Sequence, residues 1–504
     1  MNANLYAQLA ARFSDAPDAV CLELQDGTRY SYADVERESA RYANLLAALG
    51  LERGDRLAVQ VDKSPQVVFL YLGCLRAGLV YLPLNTAYRE NEIAYFLGDA
   101  EPKAAVCRPA ARSWFARVPH GFELDVQGRG SLVEAAARQS ANFSTVTSVP
   151  GDLASIIYTS GTTGRAKGAM VTHGNLASNA LTLHRYWQFR PGDVLLHALP
   201  LFHVHGLFVA LHSALLNASR VLLLPRFDAA EVLRRLPQAS VFMGVPTYYV
   251  RLLAEPGLTR ESCAHMRLFV SGSAPLLMET FASFRTRTGH TILERYGMTE
   301  TGMNTSNPYE GERRGGTVGF PLPGIEVRVV DDGDAPLGAG KIGHIQVRGP
   351  NVLPGYWRLP EKNKDEFTAD GFFRTGDLGT FDADGYLSIV GRSKDLVITG
   401  GYNVYPKEIE MLLDEFPGVE ESAVIGLPHP DFGEAVTAVL VPKPDASITE
   451  EAVLAYAKER LAAFKVPKRV IIARELPRNA MGKVQKNALR DAYAEPKESP
   501  TTAQ

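Results

Sequence analysis

A chain of 504 residues, 46% hydrophobic and 22% charged with a net charge of −3, has enough apolar surface for several cores; at about 150 residues per domain it has room for about three folding units. That charge balance excludes an electrostatic case for nucleic acid or an anionic membrane as partner. The four cysteines, Cys21, Cys74, Cys107 and Cys263, form no CxxC pair and no metal-ligand spacing, which fits a reduced, cytoplasmic compartment.

The first residues lack a long apolar stretch behind a basic start, so no targeting segment is expected there. Ser31 and Asp34 open a helix that should bury Val35, Tyr42, Leu45 and Leu49 and stop at Gly50. A strand follows at 57–61, then a helix starting near Pro65 and ending before Gly78, then a strand at 79–84. The same alternation returns at 104–107, 220–224, 240–243 and 268–271, which argues for parallel sheets covered by helices. The most apolar region, 194–224, is interrupted by His197, His203, His205 and His212. Histidines are expensive in lipid, so this region reads as buried strand and helix rather than a membrane span.

From about residue 315 short β-rich runs separated by Gly and Pro take over, at 324–330, 343–347 and 385–390. Beyond a charged turn, Arg392-Ser393-Lys394-Asp395, a compact α+β unit follows. Its first helix should start at Pro406 and bury Ile409, Leu412 and Phe416; strands follow at 422–425 and 435–441. A second helix should open with a capping box, Ser447 to Glu450, and bury Val453, Ala457, Leu461 and Phe464. The expected fold class is α/β: a large N-terminal domain of helix-covered sheets (1–393, with a β-rich subdomain at about 315–393), a small α+β C-terminal domain (394–495) and a polar tail (496–504) expected to be disordered.

The chemistry concentrates first in Thr159-Ser160-Gly161-Thr162-Thr163-Gly164-Arg165-Ala166-Lys167-Gly168, behind an apolar strand at 153–158. Glycines let a loop wrap its N–H groups around an anion, hydroxyls add donors and the lysine adds charge, which together suit a triphosphate. It is not a Walker A loop, because Gly164 and Lys167 are not adjacent and no Ser or Thr follows the lysine. A plain polar turn is the competing reading; three glycines, four Ser/Thr hydroxyls and a lysine argue against it.

This loop resembles the signature of the adenylate-forming superfamily, which includes acyl-CoA synthetases, peptide-synthetase adenylation domains and firefly-type luciferases. Further motifs follow in the family's order: Tyr296-Gly297-Met298-Thr299-Glu300, Thr375-Gly376-Asp377, Gly391-Arg392-Ser393-Lys394-Asp395 and Pro477-Arg478-Asn479-Ala480-Met481-Gly482-Lys483. A closer resemblance, to malonyl-CoA synthetases, is carried by Leu293 to Thr301, by Met303-Asn304-Thr305-Ser306-Asn307-Pro308-Tyr309 and by Tyr81-Leu82-Pro83-Leu84-Asn85-Thr86-Ala87-Tyr88. The sequence departs from some members of that group at Val204 and Gly302, which bears on fine substrate preference.

The resemblance implies ATP, Mg²⁺ and coenzyme A as cofactors or co-substrates, and residue roles at the matching positions. Thr159, Ser160, Gly161, Thr162, Thr163, Gly164 and Lys167 would cradle the β- and γ-phosphates, with Thr163 and Lys167 also catalytic. Glu300, helped by Thr159, would bind Mg²⁺ through oxygen. Ser273, Ala274, Pro275, Glu294, Arg295 and Tyr296, with Thr299, would wall the adenine. Asp377 would take the ribose hydroxyls, backed by Arg392. Lys483 would bridge the acid's carboxylate and the α-phosphate, and a lysine acetyltransferase acting on it would remove that charge. Lys394 would be the hinge about which the small domain turns for thioester formation. Gly400 and Gly401 would let pantetheine slide past the backbone, with Lys465, Lys468 and Arg469 as candidates for the coenzyme A phosphates.

The acid pocket would be lined by His203, Val204, Ser273 and Met303. Arg295, next to the Tyr296 motif, and Arg251, following Pro246-Thr247-Tyr248-Tyr249, decide the substrate reading. A fatty-acid pocket has no use for a guanidinium, whereas the second carboxylate of malonate pairs with one bidentately. The expected activity is ATP-dependent ligation of malonate to coenzyme A, with short- or medium-chain monocarboxylate activation as the alternative. Loading of a separate carrier protein and a non-catalytic binding role are further readings. Intact Lys167, Glu300, Asp377 and Lys483 weigh against the last.

Overall fold

The computed structural model describes residues 2–159, 166–399, 402–429, 431–479 and 481–494. Its contacts divide the chain into two units, one of residues 1–327 and 346–373, the other of 328–345 and 374–504. The architecture is mixed α/β, as the alternating pattern requires.

In the first unit, Ser31 caps helix α1 (Tyr32–Ala48) in a reciprocal box with Asp34, and Val35, Tyr42 and Leu45 are buried as read from the periodicity. Leu49 instead becomes the half-buried C-cap and Leu46 takes the inward position, because the helix ends one residue short of it. Pro65 starts α2 (Pro65–Arg76), which is buried nearly all round. Six strands form one sheet: β1 (Arg56–Gln60), β2 (Val80–Pro83), β3 (Ala104–Cys107), β4 (His120–Glu123), β5 (Leu153–Thr159) and β6 (Lys167–Thr172), in the order β4-β3-β1-β2-β5-β6. All neighbours are parallel except the final pair, β5 and β6.

A nine-stranded sheet holds β7 (Val194–His197), β8 (Arg220–Leu223), β9 (Val241–Gly244), β10 (Leu268–Ser271), β11 (Leu293–Met298) and β12 (Gly302–Ser306). Its central order is β12-β11-β10-β9-β7-β8, extended past β8 by Val20–Leu24 and Arg29–Ser31 and past β12 by Phe320–Pro321. The run from β7 to β11 is parallel, so the carboxyl ends of these strands, where ligands of such sheets bind, carry the residues singled out by motif. Helix α3 (His173–Tyr186) follows β6, α4 (Pro246–Ala254) follows β9, and α5 (Pro360–Glu366) closes the unit. The apolar stretch 194–224 is β7, a buried π-helix at His205–Leu211, a short helix and β8. No helix among the described residues is long and apolar enough to cross a membrane.

The four-stranded sheet β13 (Glu326–Val330), β14 (Gly343–Arg348), β15 (Phe373–Phe381), β16 (Leu387–Arg392) accounts for the β-rich stretch. Residues 328–345 and 374–393, read as part of the larger domain, group by contact with the second unit. The rest of that unit is β17 (Val397–Thr399), β18 (Tyr402–Val404), α6 (Pro406–Asp414), β19 (Val419–His429), β20 (Gly433–Pro442), α7 (Glu450–Arg460) and β21 (Arg469–Ile472). Two details differ from the sequence reading. In α6 it is Leu413, one turn after Ile409, that is buried, with Leu412 and Phe416 only half-buried. The cap of α7 is Thr449, whose hydroxyl accepts from Ala452 N; Glu450 is drawn away because its Oε1 accepts from Val470 N at 2.8 Å. The expected disordered tail lies outside the described residues.

Candidate active site

β5 and β6 are antiparallel, and Thr159 and Lys167 are register partners at the mouth of their connection. That connection is the phosphate motif; Ser160, Gly161, Thr162, Thr163 and Gly164 lie outside the described residues. Its two ends are held in a polar cluster of the first unit. The hydroxyl of Thr159 donates to Glu300 Oε1 at 3.2 Å, and that of Tyr356 donates to the same oxygen at 3.0 Å. Glu300 is buried in the turn between β11 and β12. Lys167 is buried as well, its Nζ 3.0 Å from Glu366 Oε1 and 4.6 Å from the centre of the Tyr356 ring. The segment bearing Tyr356 is tied to β6, with Met170 N donating to Gly355 O and Trp357 N to Gly168 O. An ammonium and a carboxylate are thus fixed beside one another at the root of a glycine-rich loop. The Glu300 carboxylate and Thr159 hydroxyl are hard oxygen donors close enough to share one Mg²⁺.

Arg295 has an unusual setting. It is buried on β11, and its Nε and Nη2 have no hydrogen-bond partner among the described residues. Burial pulls its pKa down to about 9, so it remains a cation at neutral pH. Its guanidinium lies against the backbone of Gly272, where a β-carbon would stand 2.4 Å from Cζ. Next in the chain, Ser273 adopts a left-handed φ of 71° and sets its Oγ 3.3 Å from His205 Nδ1. Such a conformation in a non-glycine residue is costly and concentrates at functional sites. His203 Nδ1 accepts from His205 N at 3.2 Å. Burial, and then the nearby Arg295 charge, bring His203 down to about 4 and His205 well below its ordinary value. Both are neutral imidazoles at pH 7, and the cation that both feel is Arg295.

Val204 is buried and, with Phe208, Asn179, Glu300, Gly302 and Leu353, lines a pocket beside the Glu300 turn. Met303 is buried too, and Asn179 of α3 clamps its backbone by donating to Met303 O at 3.0 Å and accepting from Met303 N at 3.1 Å. Gly302, at φ 57°, brings the turn so near that a β-carbon would meet Asn179 Oδ1 at 2.8 Å. Arg251 is placed differently from Arg295: it is exposed on α4, where its charge is felt by Tyr248. Glu294, buried, accepts from Gly316 N at 3.0 Å, while Tyr296, Thr299 and Ala274 are half-buried and Pro275 is exposed.

In the second unit, Asp377 and Arg392 are direct partners across β15 and β16, joined by Arg392 Nε to Asp377 Oδ1 at 2.8 Å. Asp377 is buried behind Gly376, and its N–H donates to Thr375 Oγ1. The Ser393–Asp395 turn leaves Lys394 exposed and sends Asp395 to Arg490 at 3.1 Å. Lys483 sits in a turn organised by Asn479, whose Oδ1 accepts from the N–H groups of Met481 and Lys483. Burial and then the Arg392 charge lower its pKa to about 8, against the opposing pull of Asp377 and Asp395. The structure therefore brings Lys483, Asp377 and Arg392 into one electrostatic neighbourhood. Gly400 and Gly401 lie outside the described residues. Lys465 is spent on Glu408 at 2.5 Å, whereas Lys468 and Arg469 are exposed.

Sequence reasoning missed Tyr356, Glu366, Asn179 and Lys63. Lys63 is buried and donates to His197 O and Leu199 O, with His197 Nδ1 at 2.7 Å; His197 Nε2 in turn reaches Gly206 O at 2.8 Å. A lysine is donor only, so His197 must accept at Nδ1 and donate at Nε2. This chain buttresses the His203–Gly206 turn from behind. A lone lysine 134 positions away from its partner leaves no local signal.

The AMP-binding enzyme family matches residues 8–357, and the AMP-binding enzyme C-terminal domain matches 408–483. A malonate–CoA ligase of Arabidopsis thaliana is 36% identical, covering 95% of this chain and 88% of the relative. A feruloyl-CoA synthase of an Amycolatopsis species is also 36% identical, covering 93% and 94%. The crystal structure of ATP-bound MatB from Rhodopseudomonas palustris superposes with a TM-score of 0.96 at 55% identity, covering 98% of this chain and 99% of that one.

Proposed function

The chain belongs to the AMP-binding enzyme family, and on that premise we propose that it ligates malonate to coenzyme A through malonyl-AMP, releasing AMP and pyrophosphate. Relatives named for malonate recur among the similar proteins, beside one named for an aromatic acid at the same identity as the first, so an observation in the site should bear on the acid too. The observation that does is Arg295, a buried guanidinium with two unpartnered nitrogens beside neutral His203 and His205. Leaving a buried charge without its partner costs about 3–5 kcal/mol. The second carboxylate of malonate removes that cost, and acetate cannot.

In the first half-reaction the acid's carboxylate oxygen forms a bond to the α-phosphorus, and the bond from that phosphorus to pyrophosphate breaks. Two anions must approach, so the residues supply positive charge and orientation. Lys167 takes β- and γ-phosphate oxygens with the loop that includes Thr163; Glu300 and Thr159 hold Mg²⁺, which neutralises phosphate charge when bound. Ser273, Ala274, Pro275, Glu294, Tyr296 and Thr299 face the adenine side. Asp377, oriented by Arg392, accepts from the ribose hydroxyls. Lys483 carries the charge shared by carboxylate and α-phosphate. Arg295 anchors the far carboxylate, with His203, Val204 and Met303 bounding the short chain between. In the second half-reaction the coenzyme A sulfur bonds to the acyl carbon, and the bond from that carbon to the AMP oxygen breaks. We assign Lys394 as the hinge residue between the two steps and Lys483 as the residue a lysine acetyltransferase would silence by removing its charge.

The test is malonate-dependent exchange of labelled pyrophosphate into ATP, followed by AMP release on adding coenzyme A. Exchange with malonate but not with acetate supports the reading; no exchange with any acid sinks it.

A further inference from the structure

Glu366 ends α5 with one carboxylate between two ammonium groups. Its Oε1 is 3.0 Å from Lys167 Nζ and 3.4 Å from Lys362 Nζ, one helical turn back. The two cations differ in setting: the Lys167 side chain is 10% exposed and that of Lys362 36%. Glu366 itself is 16% exposed, so it is poorly hydrated and needs a cation. The helix is fixed to the site, because Asn363 accepts from Tyr356 N at 2.7 Å and donates to Tyr356 O at 3.2 Å, and the Tyr356 ring lies beneath Lys167. Glu366 therefore addresses the ammonium that, on the proposed function, ATP must claim.

Two anions compete for one cation here. A triphosphate near Glu366 is repelled by its carboxylate and must draw Lys167 away from it. Lys362 offers that carboxylate a second partner within the same helix turn, which lowers the cost of the exchange. We propose that Glu366 is a positioning residue that holds Lys167 and hands it to the triphosphate, with Lys362 as its alternate partner. The inference rests on the ATP-dependent reading. It predicts an inverted phenotype: removing a charged residue from a nucleotide site should tighten nucleotide binding.

The experiment measures KM for ATP in malonate-dependent AMP formation for wild type, Glu366→Gln, Lys362→Gln and the double variant, with thermal unfolding to verify folding. Glu366→Gln is expected to lower KM for ATP three- to tenfold. Lys362→Gln, which leaves the carboxylate only Lys167 among the described residues, should raise it two- to threefold. The double variant should match Glu366→Gln, since Lys362 acts only through Glu366. A KM for ATP that is unchanged or raised in Glu366→Gln overturns the proposal, as does a Lys362→Gln effect that persists in the Glu366→Gln background. Wild-type protein that forms no AMP overturns the underlying ATP reading instead.

Discussion

The guanidinium of Arg295 lies so close to the backbone of Gly272 that a β-carbon there would stand 2.4 Å from Cζ and 2.6 Å from Nη1. Arg295 is buried and cannot swing into solvent at no cost. Gly272→Ala should therefore move the guanidinium and raise the KM for malonate at least tenfold while leaving the KM for ATP much less affected. Steady-state kinetics with each substrate varied in turn checks this; equal losses for both would mean general disruption of the site.

Lys483 gives a pH signature. Its pKa is lowered to about 8 by burial and by Arg392, so the ammonium is lost as pH rises through that value. If the cation is needed for adenylation, kcat/KM for malonate should fall above about pH 8. Lys483→Arg should be slower but keep its charge, so its alkaline decline should move up from about pH 8 to about pH 9, where Arg295 in turn loses its charge. A wild-type profile flat to pH 9.5 contradicts the assignment.

Glu300→Gln keeps the size of the side chain and the oxygen that accepts from Thr159 and Tyr356, but removes the charge. Half-saturating Mg²⁺ should rise about tenfold or more at fixed ATP, from the loss of one hard anionic ligand. An unchanged Mg²⁺ titration with a reduced rate would place the metal elsewhere.

Lys63→Met fills similar volume but leaves two buried carbonyl oxygens and His197 Nδ1 without their shared donor. Each buried group left unsatisfied costs about 1–3 kcal/mol. Urea unfolding should show a loss of about 3 kcal/mol, together with a raised KM for malonate from the loosened His203–Gly206 turn. Wild-type stability would mean that water replaces the ammonium freely.

How far the sequence was readable depends on the range of the interaction. Helix α1 was visible because Ser31 and Asp34 cap it locally, and α2 because Pro65 and Gly78 punctuate it. The parallel sheets followed from alternating strands and helices. The cap of α7 falls at Thr449 rather than Ser447 because Glu450 is drawn to Val470 N, 20 residues away. The residues that resemblance named were legible as a set, but their arrangement was not. Arg251 and Arg295 looked equivalent in the sequence, and only folding buries one and leaves the other exposed. Glu366, 199 residues from Lys167, carries no motif at all.

The most direct measurement compares kcat/KM for malonate and acetate in wild-type protein and in Arg295→Leu. A malonate preference of several hundredfold that collapses to near parity in the variant is the predicted result, about 3 kcal/mol or more of selectivity residing in one guanidinium. Wild-type protein that activates acetate as well as malonate, or a variant that keeps the full preference, would contradict it.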